Sequence, residues 1–179
     1  MILTERDELT AAYSWPSFFK SINSREDTEN PMPNTIKLHC VMATKPEKIY
    51  RAFLEPDAMA KWLPPDGFAC TVHQMDPKVG GTYRMSFRNF TTGQSHAFGG
   101  KYLELVPHER LRYVDKFEDP NMPGEMTVTV VLKAVSVGTE LHITQEGIPD
   151  MIPAENCYLG WQQSLKNLEK LVLPEIPNE

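Results

Sequence analysis

Three side chains in the strand-rich part of this sequence could move protons: Asp115, Glu104 and His96. A carboxyl or imidazole does so near neutral pH when burial or a neighbouring charge shifts its pKa, so the question for each is which way it faces. In Arg110 to Phe117, Asp115 alternates with Leu111, Tyr113 and Phe117 and therefore shares their face. The same parity puts Gln145 with Leu141 and Ile143. A polar group on an apolar face is costly unless it finds a partner, so each is either a structural hydrogen-bond anchor or a ligand contact. Metal chemistry finds no pattern in the spacing. His39, His73, His96, His108 and His142 make no HExxH or HxxxH arrangement, and Cys70 and His73, three apart on a strand, point to opposite faces. There is no GxSxG elbow or P-loop, and Gly99-Gly100 falls inside a strand, where a bulge or close packing explains it better than phosphate binding. The expectation is therefore no metal and no cofactor.

The elements that must position these groups follow from the hydrophobic period. Ile36 to Ala43 reads as a strand, Pro46 to Phe53 as a helix with Thr44 as its cap, and Asp57 to Trp62 as a second short helical piece before the turn Pro64-Pro65-Asp66-Gly67. Alternating strands follow at Phe68 to Met75, Gly81 to Asn89, Ser95 to Val106, Arg110 to Phe117, Glu125 to Val135 and Thr139 to Glu146, joined by short Gly- and Pro-containing turns. Consecutive strands with tight turns predict an antiparallel meander. From Ala154 to Leu173 the period changes to that of a helix, with Tyr158, Trp161, Leu165, Leu168 and Val172 as its apolar stripe. Beside that stripe run the small residues Cys157, Gly160 and Ser164, so one edge of the helix has little bulk and a space can remain against the sheet. Parity and helical spacing put Tyr83, Met85, Phe87, Phe98, Tyr113, Met126, Val128, Gln145, Trp161 and Ser164 on the enclosed side, as walls for a mainly apolar small molecule. Trp62, before a rigid turn, is expected either in the core or at the mouth of such a cavity.

Composition limits the partners. The chain has 179 residues and a net charge of -6 without clustered Lys or Arg, which excludes a general nucleic-acid binder and disfavours anionic membrane surfaces. No apolar run is long enough for a membrane span or a signal peptide, so no membrane insertion is expected. Cys40, Cys70 and Cys157 are odd in number and far apart, as free thiols in a reducing, cytoplasmic setting would be. Organisation changes near residue 31. Residues 1 to 31 combine an aromatic patch (Tyr13, Trp15, Phe18, Phe19) with a polar stretch, Ser21 to Asn30, and read as a partly flexible extension ahead of a domain over residues 32 to 179.

Several short motifs recur in a familiar order: Gly80-Gly81-Thr82-Tyr83-Arg84, then Phe98-Gly99-Gly100-Lys101-Tyr102-Leu103-Glu104-Leu105-Val106-Pro107 with Arg110-Leu111, then Gly138-Thr139-Glu140-Leu141 and Gly160-Trp161. In these the chain resembles the activator of heat-shock protein 90 ATPase homologue (AHSA-type) family of the START/Bet v 1-like (SRPBCC) superfamily, over about residues 35 to 173. The resemblance implies an α+β helix-grip fold: a curved antiparallel sheet of six or seven strands around a long C-terminal helix, with two short helices after the first strand. It supplies no catalytic motif, since fold does not determine function. Three readings follow. The first is a binding protein for a small hydrophobic or amphipathic ligand, apolar or aromatic, held between sheet and helix. The second is a cyclase- or hydrolase-like enzyme using an inward carboxylate or His. The third is a chaperone-associated module whose contacts are a chaperone or a further copy of the chain.

Overall fold

A computed structural model describes residues 34–177, and the expectations for residues 1 to 31 lie outside that range. The strands are β1 (Asn34–Met42), β2 (Phe68–Met75), β3 (Thr82–Asn89), β4 (Ser95–Val106), β5 (Arg110–Phe117), β6 (Met126–Val135) and β7 (Gly138–Ile148). The helices are α1 (Pro46–Ala52), α2 (Pro56–Trp62) and α3 (Ala154–Val172). All seven strands join one antiparallel sheet in the order β1-β7-β6-β5-β4-β3-β2. The six strands β2 to β7 form the meander that the short turns predict, while β1 sits beside β7. Helices α1 and α2 carry the chain from one edge of the sheet to the other. Register shifts between Val72 and Gln74 and between Tyr102 and Glu104 add local bends to the twisted sheet.

The inward faces match the alternation of the strands. Leu111, Val130, Leu141 and Ile143 are fully or almost fully buried, as are Met85, Val128 and Leu132. Both short helices begin with proline, whose missing N–H costs nothing at a helix start. Thr44 does not cap α1. The residue before that helix is Lys45, which makes no side-chain cap, and Thr44 Oγ1 instead donates to Val172 O at the end of α3, 3.1 Å away. Trp62 is a core residue away from the cavity: its ring packs edge-on against Phe53 at 4.7 Å and its Nε1–H donates to Ala52 O at 2.8 Å. Trp62 therefore fastens α2 to α1.

Helix α3 lies closest to α2, β1 and α1, the outer supports of the sheet. Its C-terminal half is tied down by Ser164 Oγ, 2.6 Å from Leu63 O, by Asn167 Nδ2 donating to Pro64 O at 3.4 Å, and by Lys48 Nζ donating to Pro174 O at 3.0 Å. The buried face is centred on Ser164, Leu168 and Val172. Leu165 and Trp161 are half-buried against the core, and Tyr158, although in phase with the apolar stripe, is exposed, its hydroxyl accepting the Lys37 backbone N–H at 3.3 Å on edge strand β1. A helix propped at the rim leaves strands β3, β4, β5 and β6 facing a gap.

Candidate functional site

That gap is a cavity of about 210 Å³ between the inner face of the sheet and α3. All ten side chains that parity placed on the enclosed side border it. So do Tyr102, Phe117, Met59, Leu63 and Ile152, which the sequence reading did not include. Tyr102 and Phe117 were legible, since they are in phase with Phe98 on β4 and with Tyr113 on β5; Met59, Leu63 and Ile152 come from loops and helices whose approach no strand parity reports. Phe87 and Phe98 pack edge-on at 4.7 Å, and Tyr83 meets Tyr113 edge-on at 5.9 Å, so the floor is largely aromatic. The mouth opens between the Leu63–Phe68 turn and the first half of α3, at Asn156, Leu159, Gly160 and Gln163. Gly160 matters there. A Cβ on it would meet nothing within 4 Å, so the absent side chain leaves open space.

Polar groups in the walls are few. At one end Trp161 Nε1–H donates to Gln145 Oε1 at 2.8 Å, and the Gln145 amide nitrogen faces Met126 Sδ at 3.1 Å. These bonds explain how Gln145 is accommodated on an apolar face. Asp115 is different. Its Oδ1 is sealed from solvent and has no hydrogen-bond partner among the described residues, although the residue as a whole keeps some exposure through the cavity.

The local sequence accounts for this isolation. Tyr83, Gly100 and Asp115 lie side by side on β3, β4 and β5. Because Gly100 lacks a side chain, the Tyr83 ring reaches across it and its hydroxyl donates to Val114 O at 2.8 Å; a Cβ at Gly100 would collide with that same carbonyl and stand 3.2 Å from the hydroxyl. The single hydroxyl proton has two acceptors nearby, Val114 O and the Asp115 carboxyl, and the short contact gives it to the carbonyl. Burial therefore dominates at Asp115 and pushes its pKa up to about 7, against smaller opposing effects of the Tyr83 hydroxyl and the Lys116 backbone N–H. Burial, with Asp115 adding to it, also raises the Tyr83 and Tyr113 hydroxyls well above the usual tyrosine value, so both stay protonated.

The other two proton-transfer candidates are not at the cavity wall. Glu104 faces Arg110 Nη1 at 3.5 Å on the outside, and His96 is half-buried opposite Phe87. Cys157 does border the cavity, and burial pushes its thiol up to about 11, away from the thiolate form that would react. Cys40 and Cys70 are likewise free and half-buried.

The family model described as "Activator of Hsp90 ATPase homolog 1-like protein" matches residues 43–172, the span from α1 to the end of α3. The chain belongs to that family. It is thereby an AHSA-type member of the SRPBCC superfamily, and the seven-stranded sheet closed by a C-terminal helix is the helix-grip fold. No curated protein matches the chain. Among solved structures, protein CV1439 from Chromobacterium violaceum is 60% identical, covers 79% of this chain and 99% of its own, and superposes with a TM-score of 0.78. A protein from Rhodobacter sphaeroides (22% identity, covering 76% and 90%, TM-score 0.68) and protein NE0264 from Nitrosomonas europaea (23%, covering 76% and 92%, TM-score 0.66) share the fold. No helix among the described residues is long and apolar enough to cross a membrane.

Proposed function

We propose that this protein is a cytosolic binding protein for a compact, ring-containing apolar molecule that carries one hydroxyl group, with Asp115 as its polar anchor. The observation that carries the reading is the buried Asp115 Oδ1, without a partner among the described residues, in the wall of an otherwise largely apolar cavity. A carboxyl is expensive to hold there. A ligand that hydrogen-bonds to it offsets that cost.

Size and chemistry narrow the class. An apolar cavity of about 150 Å³ holds benzene. The space of about 210 Å³ here therefore suits one or two fused rings, with longer substituents leaving through the mouth at Gly160. A hydroxyl group is favoured over an ammonium group or a carbonyl because it both donates and accepts. With the Asp115 pKa near 7, both protonation states are populated around neutral pH, and a hydroxyl pairs with either. An ammonium group pairs only with the carboxylate and a carbonyl only with the acid. A carrier reading is preferred to an enzyme because, among the described residues, the groups beside Asp115 hold their protons near neutral pH, namely Tyr83, Tyr113 and Cys157, and the other carboxyl of the lining, Asp66, is exposed in the Leu63–Phe68 turn.

The test is displacement of a fluorescent apolar reporter by 2-naphthol, using wild type and Gly160→Leu. The wild type is expected to bind the reporter and release it on adding 2-naphthol, whereas Gly160→Leu, folded by circular dichroism, loses reporter binding. A wild type that binds neither compound, or a Gly160→Leu variant that binds as well as wild type, would overturn the cavity reading and move a protein-partner role to first place.

A further inference from the structure

On the opposite, solvent-facing side of the sheet, register brings together three groups that no chain spacing announces. His39 on β1 lies directly across from His142 on β7, and Glu140 is two residues from His142 on the same face. The imidazole rings stack at 4.5 Å between centroids. Both turn Nε2 toward one carboxylate oxygen, Glu140 Oε1, at 3.0 Å from His39 and 3.5 Å from His142. Lys133 on β6 stands 3.8 Å from the other oxygen, Oε2, and leaves Oε1 to the two rings. One ligand atom from each of the three residues falls within 4.8 Å of the other two.

We propose that His39, Glu140 and His142 bind a divalent first-row transition ion of the Zn²⁺ type. Ligand atoms about 2.0–2.1 Å from tetrahedral Zn²⁺ stand about 3.3–3.4 Å from one another. The two nitrogen-to-oxygen separations here, 3.0 and 3.5 Å, bracket that edge, and the two histidines' ligand atoms lie within 4.8 Å of each other, so an ion enters by rotating these exposed side chains. Two imidazoles and one carboxylate suit Zn²⁺, Cu²⁺ or Ni²⁺ better than Mg²⁺ or Ca²⁺, which take oxygen ligands. Three protein ligands leave a position for water. Because β1 pairs only with β7 among the described residues, an ion bridging His39 to Glu140 and His142 would also clip this strand to the sheet. The site is on the far face from the cavity and stands whether or not a small molecule binds there.

The experiment uses the full chain without an affinity tag, titrated with Zn²⁺ by calorimetry and with Co²⁺ by visible absorption. Residues 1 to 33 contain no His or Cys, so strong competing ligands are limited to the three cysteines and the other histidines. Expected are one Zn²⁺ per chain, Co²⁺ bands of a nitrogen- and oxygen-ligated ion without the intense near-ultraviolet thiolate band, and a melting temperature that rises with Zn²⁺. His39→Ala and His142→Ala should each weaken Zn²⁺ by about tenfold or more, since even outer-shell partners are worth that much. With side chains 51% and 47% exposed, neither histidine is needed for folding, and unchanged melting of both variants in EDTA would establish that. No binding by wild type at millimolar Zn²⁺ would overturn the proposal. So would full affinity in the doubly substituted His39→Ala, His142→Ala protein, or a thiolate band, which would place the ion at a cysteine.

Discussion

If Asp115 is held in the cavity wall against its own hydration, replacing it with Asn should change the pH dependence of stability more than stability itself. Burial raises its pKa to about 7 from the usual 3.8, a difference of about 3 units. The folded protein thus binds a proton that the unfolded chain has already released between those values, and stability falls as pH rises across that window. At 1.36 kcal/mol per unit, the accumulated loss is about 4 kcal/mol, complete once pH passes the folded pKa and absent below the unfolded one. Asn cannot ionise, so Asp115→Asn escapes this loss while keeping shape and volume. Any cost of burying the amide is independent of pH and cancels when the two proteins are compared across pH. The assay is urea denaturation of both proteins from pH 4 to pH 8.5. The variant should gain on the wild type by about 4 kcal/mol from the acid to the alkaline end, most of it between pH 4 and 7. A constant difference over that range would show that Asp115 is solvated. A difference of opposite slope would show that a positive partner holds its pKa down, and either result refutes the reasoning.

Gly160 sits inside α3 with open space where a side chain would be, so Gly160→Ala should raise stability by about 0.5–1 kcal/mol, measured by the denaturation midpoint. Leu168 is fully buried on the same helix, and Leu168→Ala should cost about 2–5 kcal/mol in the same assay. Trp161→Phe removes the donor to Gln145 and should cost about 1–3 kcal/mol by leaving the amide oxygen of a buried residue without it. An increase in stability there would show that the bond is replaced by water.

Much of the fold was legible because each β-strand advertises its inner face by alternation. Met126, Val128, Val130 and Leu132 are buried as that rule requires. What alternation cannot report is which strand neighbours which across long connections, and the place of β1 beside β7 depends on α1 and α2 spanning the sheet. The same limit hid the His39, Glu140 and His142 cluster, since ligand spacing along the chain says nothing of ligands that meet through register. Tyr158 shows the converse error: it has the helical period of the core stripe but lies over the edge of the sheet, because the buried arc of α3 is centred on Ser164. Asp115 was recognisable as a polar residue on an apolar face. That its Oδ1 is left without a partner was not, because that depends on Gly100 letting the Tyr83 hydroxyl reach Val114 O.

The central claim, a cavity that recognises a hydroxyl group on a compact apolar molecule through Asp115, is tested most directly by calorimetric titration of 2-naphthol and naphthalene into wild type and Asp115→Ala at pH 7. One well-made hydrogen bond to a group that can carry charge contributes about 1.5–3 kcal/mol, a preference of roughly ten- to a hundredfold. The wild type is expected to favour 2-naphthol by that factor, and Asp115→Ala, which has no group to pair with the hydroxyl, to lose most of the preference while still binding naphthalene. Equal affinity of the wild type for the two compounds, or a preference that survives in Asp115→Ala, would contradict it.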